Sequence, residues 1–292
     1  MFERIGRGWG IAKASWSVLK LHPKLLVLPI LSGIAFLLLV GSIAMSVYAG
    51  ATGQRAYQFF DVIDNVRFDQ PVVYILAFAF YFVCAFIAIF FNAALVFCAL
   101  EAFAGRVPSL RSGLGTALGR LPQILGWALV SATVGLLLNL LQSTLRDKLG
   151  FLGSLLGGLL EFAWAVVTAF VVPVLVVDGV GPIEAVKRSS GILKRTWGES
   201  VGGEGGLGII SFLLLLPAFL VIGLAVAGTG ETVGAVLLVL LPFVVLYVIA
   251  LSVVFTALGT IFRTGTYIYA TTGKAPSNMD LALLQGAFRK KA

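Results

Sequence analysis

Glu161 is the acidic residue whose surroundings come nearest to those of a functional site. It lies within a long apolar stretch, after a glycine-rich segment and just before Trp164. An ionisable side chain at the centre of a bilayer costs about 2.5–3.5 kcal/mol on insertion scales, so such residues have a partner or a function. A span that begins at Leu149 would place Glu161 well inside the membrane. A span that begins near Gly158 would place it at the outer interface beside an anchoring tryptophan, and we favour this second interpretation.

Two asparagines are further polar candidates for an intramembrane site. Asn92 and Asn139 each lie inside an apolar segment. Such residues form interhelical hydrogen bonds more often than ligand contacts. Proline also interrupts four of the apolar segments, and it permits the kinks and discontinuous helices found at transport sites. These prolines are Pro29, Pro173, Pro217 and Pro242.

The residue patterns typical of enzymes are missing from the sequence. It contains no Walker loop, no histidine-rich metal spacing and no Gly-x-Ser-x-Gly motif. The one histidine, His22, precedes Pro23 and fits a helix end, because the residue before proline disfavours the helical region. Cys84 and Cys98 fall on one predicted helix about 21 Å apart, too far for a disulfide. We therefore predict no catalytic residue, no metal and no cofactor.

The composition indicates that lipid is the solvent of this chain. Of 292 residues, 59% are apolar and 12% are charged, and the mean hydropathy is +1.03. Soluble domains are roughly 45–50% apolar, so a soluble core cannot bury this much apolar surface. The net charge of +8 would favour nucleic-acid binding in a soluble protein. Here the positive residues flank apolar segments, so the positive-inside rule explains them and no nucleic-acid partner is expected.

Six apolar segments are long enough to cross a bilayer. Each has about 19 residues or more, which suffices for a hydrocarbon core of about 30 Å. The second and sixth are longer and must tilt or protrude. The predicted fold is a single all-α integral membrane domain over 1–292. Its spans lie near 25–48, 71–98, 123–141, 158–177, 207–227 and 233–262.

The distribution of basic residues predicts the orientation. Seventeen of the 21 lysines and arginines lie before the first span, after the sixth, or in the loops after the second and fourth. Four lie in the alternate loops, at 49–70 and 142–157. Because loops rich in lysine and arginine stay in the cytoplasm, we expect both termini on the cytoplasmic side.

Four basic amphipathic helices are predicted to lie in the cytoplasmic surface of the membrane. They cover 1–22, 108–121, 182–198 and 277–290. In the third, Ile183, Val186, Ser190, Leu193 and Trp197 recur at spacings of three and four, which predicts one apolar face. Basic helices of this kind bind anionic lipid. The candidate lipid contacts are Arg4, Arg7, Lys13, Lys20, Arg111, Arg120, Lys187, Arg188, Lys194 and Arg195.

Three similar exits from the membrane indicate an internal repeat. The second, fourth and sixth spans each end in a glycine turn followed by a proline. Each exit leads into one of the surface helices, so the layout predicts three membrane hairpins. The three exits are Gly105–Pro108, Gly179–Pro182 and Gly273–Pro276.

Several short motifs resemble a bacterial family of polytopic membrane proteins known only as a domain of unknown function. Among them are Gly8-Trp9, Lys13-Ala-Ser-Trp16, Phe91-Asn-Ala-Ala-Leu95, Phe170-Val-Val-Pro173, Pro182-Ile-Glu-Ala-Val-Lys-Arg-Ser189 and Tyr267-Ile-Tyr269. The likeness spans nearly the whole chain. The layout is similar, more loosely, to membrane domains attached to some bacterial glycerophosphodiester phosphodiesterases, whose separate catalytic barrel this chain lacks. The resemblance implies a bacterial inner-membrane protein and supplies no catalytic residues.

Two functions follow as hypotheses. We favour a non-enzymatic scaffold, assembly or membrane-organising partner, with a basic cytoplasmic platform that faces anionic lipid and with a homo-oligomer or another membrane protein as partner. The alternative is a transporter or lipid-handling protein with a polar site around Glu161. A polar, lipid-sized cavity around Glu161 would favour the alternative. An intramembrane enzyme would need a clustered acid, base or metal set, which the sequence does not contain.

Overall fold

Helices make up the described part of the chain. The computed structural model describes residues 15–52, 71–227 and 231–272. Residues 15–21 are helical, and a short 3-10 turn, Pro23–Leu26, leads into the first long helix. The α-helices that follow in the described residues are α1 (Val27–Thr52), α2 (Pro71–Phe103), α3 (Leu110–Gly119), α4 (Leu121–Leu149), α5 (Phe151–Val167), α6 (Val171–Asp178), α7 (Pro182–Ala227) and α8 (Glu231–Thr272).

Six helical segments are long and apolar enough to cross a membrane. They are Pro23–Ser46, Tyr74–Phe103, Leu121–Leu149, Phe151–Asp178, Glu204–Gly223 and Leu240–Thr272. Their large apolar side chains point outward in many places, as at Leu137 and Leu220. Such a surface is stable in lipid, whereas its exposure to water is unfavourable. For the described residues, the prediction of an all-helical fold with six apolar segments long enough to span a membrane is confirmed.

The helix break before the first span lies where the sequence predicts it. Residues 15–21 are helical, and His22 leaves the helix with φ −129° and ψ 65°. Pro23 then opens the 3-10 turn, because proline excludes the helical region at the residue before it. The predicted surface helix 1–22 is described here from residue 15 only.

The third and fourth spans extend into the segment predicted as an outer loop. The sequence places a loop at 142–157, but α4 continues to Leu149 and α5 begins at Phe151. Only Gly150 separates them, with φ 58° and ψ −126°. An L side chain rarely adopts this conformation, so glycine allows the chain to reverse within one residue.

The fourth span, predicted over 158–177 with Pro173 as an interruption, is broken. Helix α5 ends at Val167 and α6 begins at Val171. Pro173 contributes to the break, because its ring nitrogen cannot donate to the carbonyl of Ala169 and its ring crowds the preceding turn. Pro217 and Pro242, by contrast, lie inside the continuous helices α7 and α8.

Helix α7 joins two elements that the sequence separates. The predicted surface helix 182–198 and the span 207–227 form one helix of 46 residues. The glycines at 202–206, predicted as a flexible entry, are helical. Each glycine costs a helix only about 1 kcal/mol, which the surrounding helix can offset. At 1.5 Å per residue α7 is about 69 Å long, roughly twice the thickness of a hydrocarbon core.

The chain forms two compact units where the sequence predicts one domain. The first unit takes its described residues from Met1–Pro29, Leu95–Gly113 and Gly191–Ala292, and the second from Ile30–Ala94 and Leu114–Ser190. In the first unit Leu25, Val96 and Phe262 are almost fully buried. In the second, Ile124, Phe170 and Leu175 are. The predicted helix 277–290 lies outside the described residues.

Candidate functional site

Glu161 is exposed on α5. It makes no hydrogen bond or ion pair with any residue that the structure describes. Gly153 and Gly157 precede it at four-residue spacing, so the three lie above one another along one side of the helix. The two glycines are buried against α4, and Glu161 is exposed.

The polar residues predicted to accompany Glu161 do not join it. Asn139 is exposed on α4, and Asn92 is half-buried on α2, where it has a partner of its own. No hydrogen bond links Asn92, Asn139 and Glu161 within the described residues. The hypothesis of one shared polar site therefore has no contact to support it here.

Helices α4 and α5 are in close contact at two glycines. A Cβ placed on Gly153 would overlap the carbonyl of Leu145 in α4 and lie 2.7 Å from the backbone nitrogen of Arg146. A Cβ on Gly157 would lie 2.5 Å from Cγ of Gln142. The glycine spacing in this segment indicates tight helix contacts, and the structure places two of its members in a contact within the chain. Further along, Trp164 stacks on the buried Trp127 at 6.0 Å between ring centroids.

A buried serine holds the two sides of the helix break together. The backbone N–H of Phe170 donates to Oγ of Ser189 at 3.2 Å, and the Ser189 hydroxyl donates to the carbonyl of Val167 at 2.6 Å. Thr168 also donates its hydroxyl to the carbonyl of Trp164 at 2.7 Å. In a membrane such freed backbone groups must be satisfied by protein atoms. Ser189 therefore satisfies one group on each side of the gap between α5 and α6.

The face of α7 that packs against the protein is not the apolar face that the sequence predicts to face lipid. Ala185 and Ser189 are fully buried, and Leu193 nearly so, whereas Ile183 is 72% exposed. The predicted lipid face runs through Ile183 and Ser190, about one residue out of phase with the face buried in the protein. A polar Ser189 carries no apolar signal, so the sequence pattern did not reveal it.

The turn after α6 draws residues from three helices. Gly179 adopts φ 66°, and the guanidinium of Arg120 lies directly over it, in the space that a Cβ would fill. Nε2 of Gln123 donates to the carbonyl oxygen of Gly179 at 3.2 Å. Pro182, at the start of α7, packs against Gly126. Arg120, Gln123 and Gly126 lie at the start of α4, so the sequence-predicted lipid contact Arg120 belongs to a defined junction.

Arg188 is engaged in ion pairs. Its Nη1 donates to Asp178 at 2.8 Å and its Nε to Glu184 at 3.1 Å. The hydrogen bond to Asp178, followed by that to Glu184, raises the pKa of the guanidinium above its ordinary value. The arginine is therefore neutralised by two carboxylates of its own chain.

Four of the other predicted lipid contacts are exposed, and the remaining ones have side chains that the structure does not describe. Lys20, Arg111, Lys187 and Lys194 are exposed, and Nζ of Lys20 lies 5.5 Å from the ring centroid of Trp16. The side chain of Arg195 is not described, and Arg4, Arg7 and Lys13 lie outside the described residues. The exposed side chains are free to reach a charged surface.

More than half of the chain matches the model of one protein family. The model of the Family of unknown function (DUF6159) matches residues 71–277. The chain belongs to this family. No curated protein and no solved structure matches it. The likeness to the phosphodiesterase-linked membrane domains stays a prediction.

Two further ion pairs lie in the region that the family model covers. Glu101 pairs with Arg106 at 3.7 Å. Arg263 pairs with Glu204 through its Nε at 2.6 Å and its Nη2 at 3.5 Å, which joins α8 to α7. The hydroxyl of Tyr247 also links these helices by donating to the carbonyl of Leu214 at 2.6 Å. The sequence places Arg263 at a span end, but it does not indicate Glu204 as its partner.

Potential metal ligands are not clustered in the described part of the chain. No three of them lie together there. Cys84 and Cys98 are free thiols, and Cys98 is buried. What the described residues do show is a set of structural junctions: two glycine contacts, a serine-bridged break and a basic turn.

Proposed function

We propose that this protein is a non-enzymatic scaffold or membrane-organising partner of the bacterial inner membrane. The observation that carries the proposal is that Glu161 and Asn139 are exposed within apolar spans and make no hydrogen bond to each other. A transport or lipid-handling site needs polar groups that converge on an enclosed volume. Exposed polar groups within a span instead suit contact with a second protein, in which each gains a partner.

The geometry of α4 and α5 supports a shallow position for Glu161. Helix α4 has 29 residues, about 43 Å, which matches the roughly 40–45 Å of a bilayer with its headgroups. The charged residues Arg146 and Lys148 near its end then reach the outer headgroups. Gly157 lies level with Gln142 near the outer boundary of the core, so Glu161, one turn on, lies about 6 Å inside it.

The basic surface forms the cytoplasmic side in this proposal. The three membrane hairpins would present the four basic amphipathic segments to the anionic inner leaflet, where each lysine or arginine that reaches it contributes about 1 kcal/mol. The excess of basic residues on that side favours cytoplasmic termini. A cysteine introduced at Lys148 that reacts with an impermeant maleimide only after the cells are opened would contradict this orientation.

Lipid selectivity tests whether the basic platform attracts anionic lipid. In vesicles of mixed lipid, spin-labelled phosphatidylglycerol should be immobilised next to the protein in preference to spin-labelled phosphatidylcholine. About 1 kcal/mol of differential attraction corresponds to roughly fivefold preference. The preference should fall at about 1 M salt, where the screening length shrinks to about 3 Å. Equal immobilisation of the two lipids at low salt would contradict the platform.

The transporter alternative has one observation in its favour. The fourth span is discontinuous at 168–170, and discontinuous spans form the substrate sites of many transporters. The Phe170 N–H and the Val167 carbonyl at this break are bonded to Ser189, so a cargo would have to displace a buried hydroxyl. This makes the break better suited to fixing the helices than to receiving a ligand.

A further inference from the structure

The junction of Arg120, Gln123 and Gly179 combines a cation with a buried acceptor. The guanidinium of Arg120 lies over Gly179, and a Cβ there would be within 3.0 Å of Nη2. Gly179 follows the last residue of α6, and Arg120 precedes the first residue of α4. The cation is thus held by the fold at one place, unlike the exposed lysines of the same surface.

Arg120 has no carboxylate partner in the described part of the chain. The nearest acid in sequence to Gly179 is Asp178, whose carboxylate is bound by Arg188 at 2.8 Å. Glu184 is bound by Arg188 as well. A guanidinium presents up to five donors in a fork that matches carboxylate and phosphate oxygens. Arg120 is therefore the member of this junction that is available to an external anion.

Gln123 adds a requirement for a hydrogen-bond donor. A carbonyl oxygen can only accept, so the Gln123 nitrogen must face Gly179 and its Oε1 must point the other way. Oε1 is buried and has no hydrogen-bond partner among the described residues. A buried acceptor without a donor is energetically unfavourable. Gln123 is only half-buried, so a small shift of its side chain would let a hydroxyl or ammonium group of a bound molecule donate to Oε1.

The level of the junction in the membrane indicates which molecule supplies the anion for Arg120 and the hydrogen-bond donor for Gln123. The third span begins at Leu121 and the fourth ends at Asp178, so Arg120 and Gly179 lie where the apolar stretches stop. Phospholipid headgroups occupy this level. A phosphodiester next to a hydroxyl or ammonium group is the headgroup of phosphatidylglycerol or phosphatidylethanolamine.

We propose that Arg120, Gln123 and the Gly179 turn form a specific site for one phospholipid headgroup that carries a hydrogen-bond donor. Arg120 binds the phosphate, and Gln123 Oε1 accepts from the hydroxyl or ammonium group. Phosphatidylcholine has the phosphate and lacks the donor, so it binds less well. This site deepens the proposed function and rests on it, since it would be one specific lipid site within the basic cytoplasmic platform.

Native mass spectrometry of the full chain in detergent tests the site. The delipidated protein is offered phosphatidylglycerol, phosphatidylethanolamine, phosphatidylcholine or soluble glycerol phosphate. We expect one tightly held lipid and a preference of about tenfold or more for the two donor-bearing lipids over phosphatidylcholine, because a hydrogen bond to a buried acceptor is at stake. Full displacement by glycerol phosphate at matched concentration would assign the site to a soluble phosphate and overturn the lipid proposal.

Variants locate the bound lipid. Arg120→Gln should weaken phosphatidylglycerol binding by about tenfold or more, as expected for loss of a charge-assisted contact. Gln123→Met should abolish the preference over phosphatidylcholine. Arg146→Gln makes the same chemical change at the opposite end of α4 and should leave binding unchanged.

The outcomes of these experiments distinguish the specific lipid site at Arg120 from the basic platform of the proposed function. If Lys187→Gln weakens binding as much as Arg120→Gln, or if phosphatidylcholine binds equally well to the wild type, the site is overturned. In that case the spin-label preference for phosphatidylglycerol would persist, and the proposed basic platform would still be supported. If Arg120→Gln loses its helical circular dichroism, the wild-type lipid preference and Gln123→Met decide the question without it.

Discussion

Replacing Gly153 by alanine should destabilise the protein by roughly 2–3 kcal/mol, because overpacking at this contact outweighs the gain in helix propensity. The added methyl group would overlap the Leu145 carbonyl of α4, and backbone atoms cannot move aside as a flexible side chain can. Helices α4 and α5 would have to separate near the Gly150 turn. The free energy of unfolding, measured by denaturant titration in mixed micelles, reports this loss.

Two neighbouring glycines provide matched controls for Gly153→Ala. Gly158→Ala meets no atom within 4 Å, so it should stabilise the helix by up to about 1 kcal/mol. Gly157→Ala meets the side chain of Gln142, which can shift, and should fall between the two. Equal effects at positions 153 and 158 would show that α4 and α5 do not pack as described.

Ser189→Ala should cost about 3 kcal/mol, because it leaves the Phe170 N–H and the Val167 carbonyl without the partner that the serine provides. The site is fully buried, so water cannot readily replace the hydroxyl. Beyond the loss of stability, hydrogen exchange at the amide of Phe170 should accelerate, since this amide loses its acceptor.

Ser190→Ala is the control for Ser189→Ala. The Ser190 hydroxyl donates only to the Lys187 carbonyl of its own helix, at 2.8 Å. Its removal should change the free energy of unfolding by no more than about 0.5 kcal/mol. If the two substitutions have the same effect, Ser189 does not hold the break between α5 and α6.

The spans were predictable because long apolar segments have few alternatives in a membrane. The ends of the helices were harder to predict. Helix α4 continues through Arg146 and Lys148, whose charges suggest a loop, because the chain reverses at Gly150 alone. The glycines at 202–206 suggest flexibility, yet α7 passes through them. In both cases tertiary context and helix continuity override the local signal.

The candidate site was predictable only in part. Arg120 and Gln123 lie close to the predicted membrane boundary, and basic residues there indicate lipid contact. Their meeting with Gly179 requires the start of α4 and the end of α6 to lie at the same level, which sequence spacing does not state. The role of Ser189 depends on the phase of α7, and a serine carries no apolar signal. Pro173 was a usable hint to the helix break, although Pro217 and Pro242 show that proline alone does not produce one.

Native mass spectrometry of wild type and Glu161→Gln, extracted with their membrane lipids, tests the scaffold proposal most directly. The proposal predicts a discrete oligomer or a complex with another membrane protein, and the same lipid adducts in both proteins. Phosphatidylglycerol or phosphatidylethanolamine held near Arg120 should be unaffected, because Glu161 lies toward the other end of the span. A monomer or dimer that retains one defined cargo, lost in Glu161→Gln, would contradict the scaffold and establish a transport or lipid-handling site around Glu161.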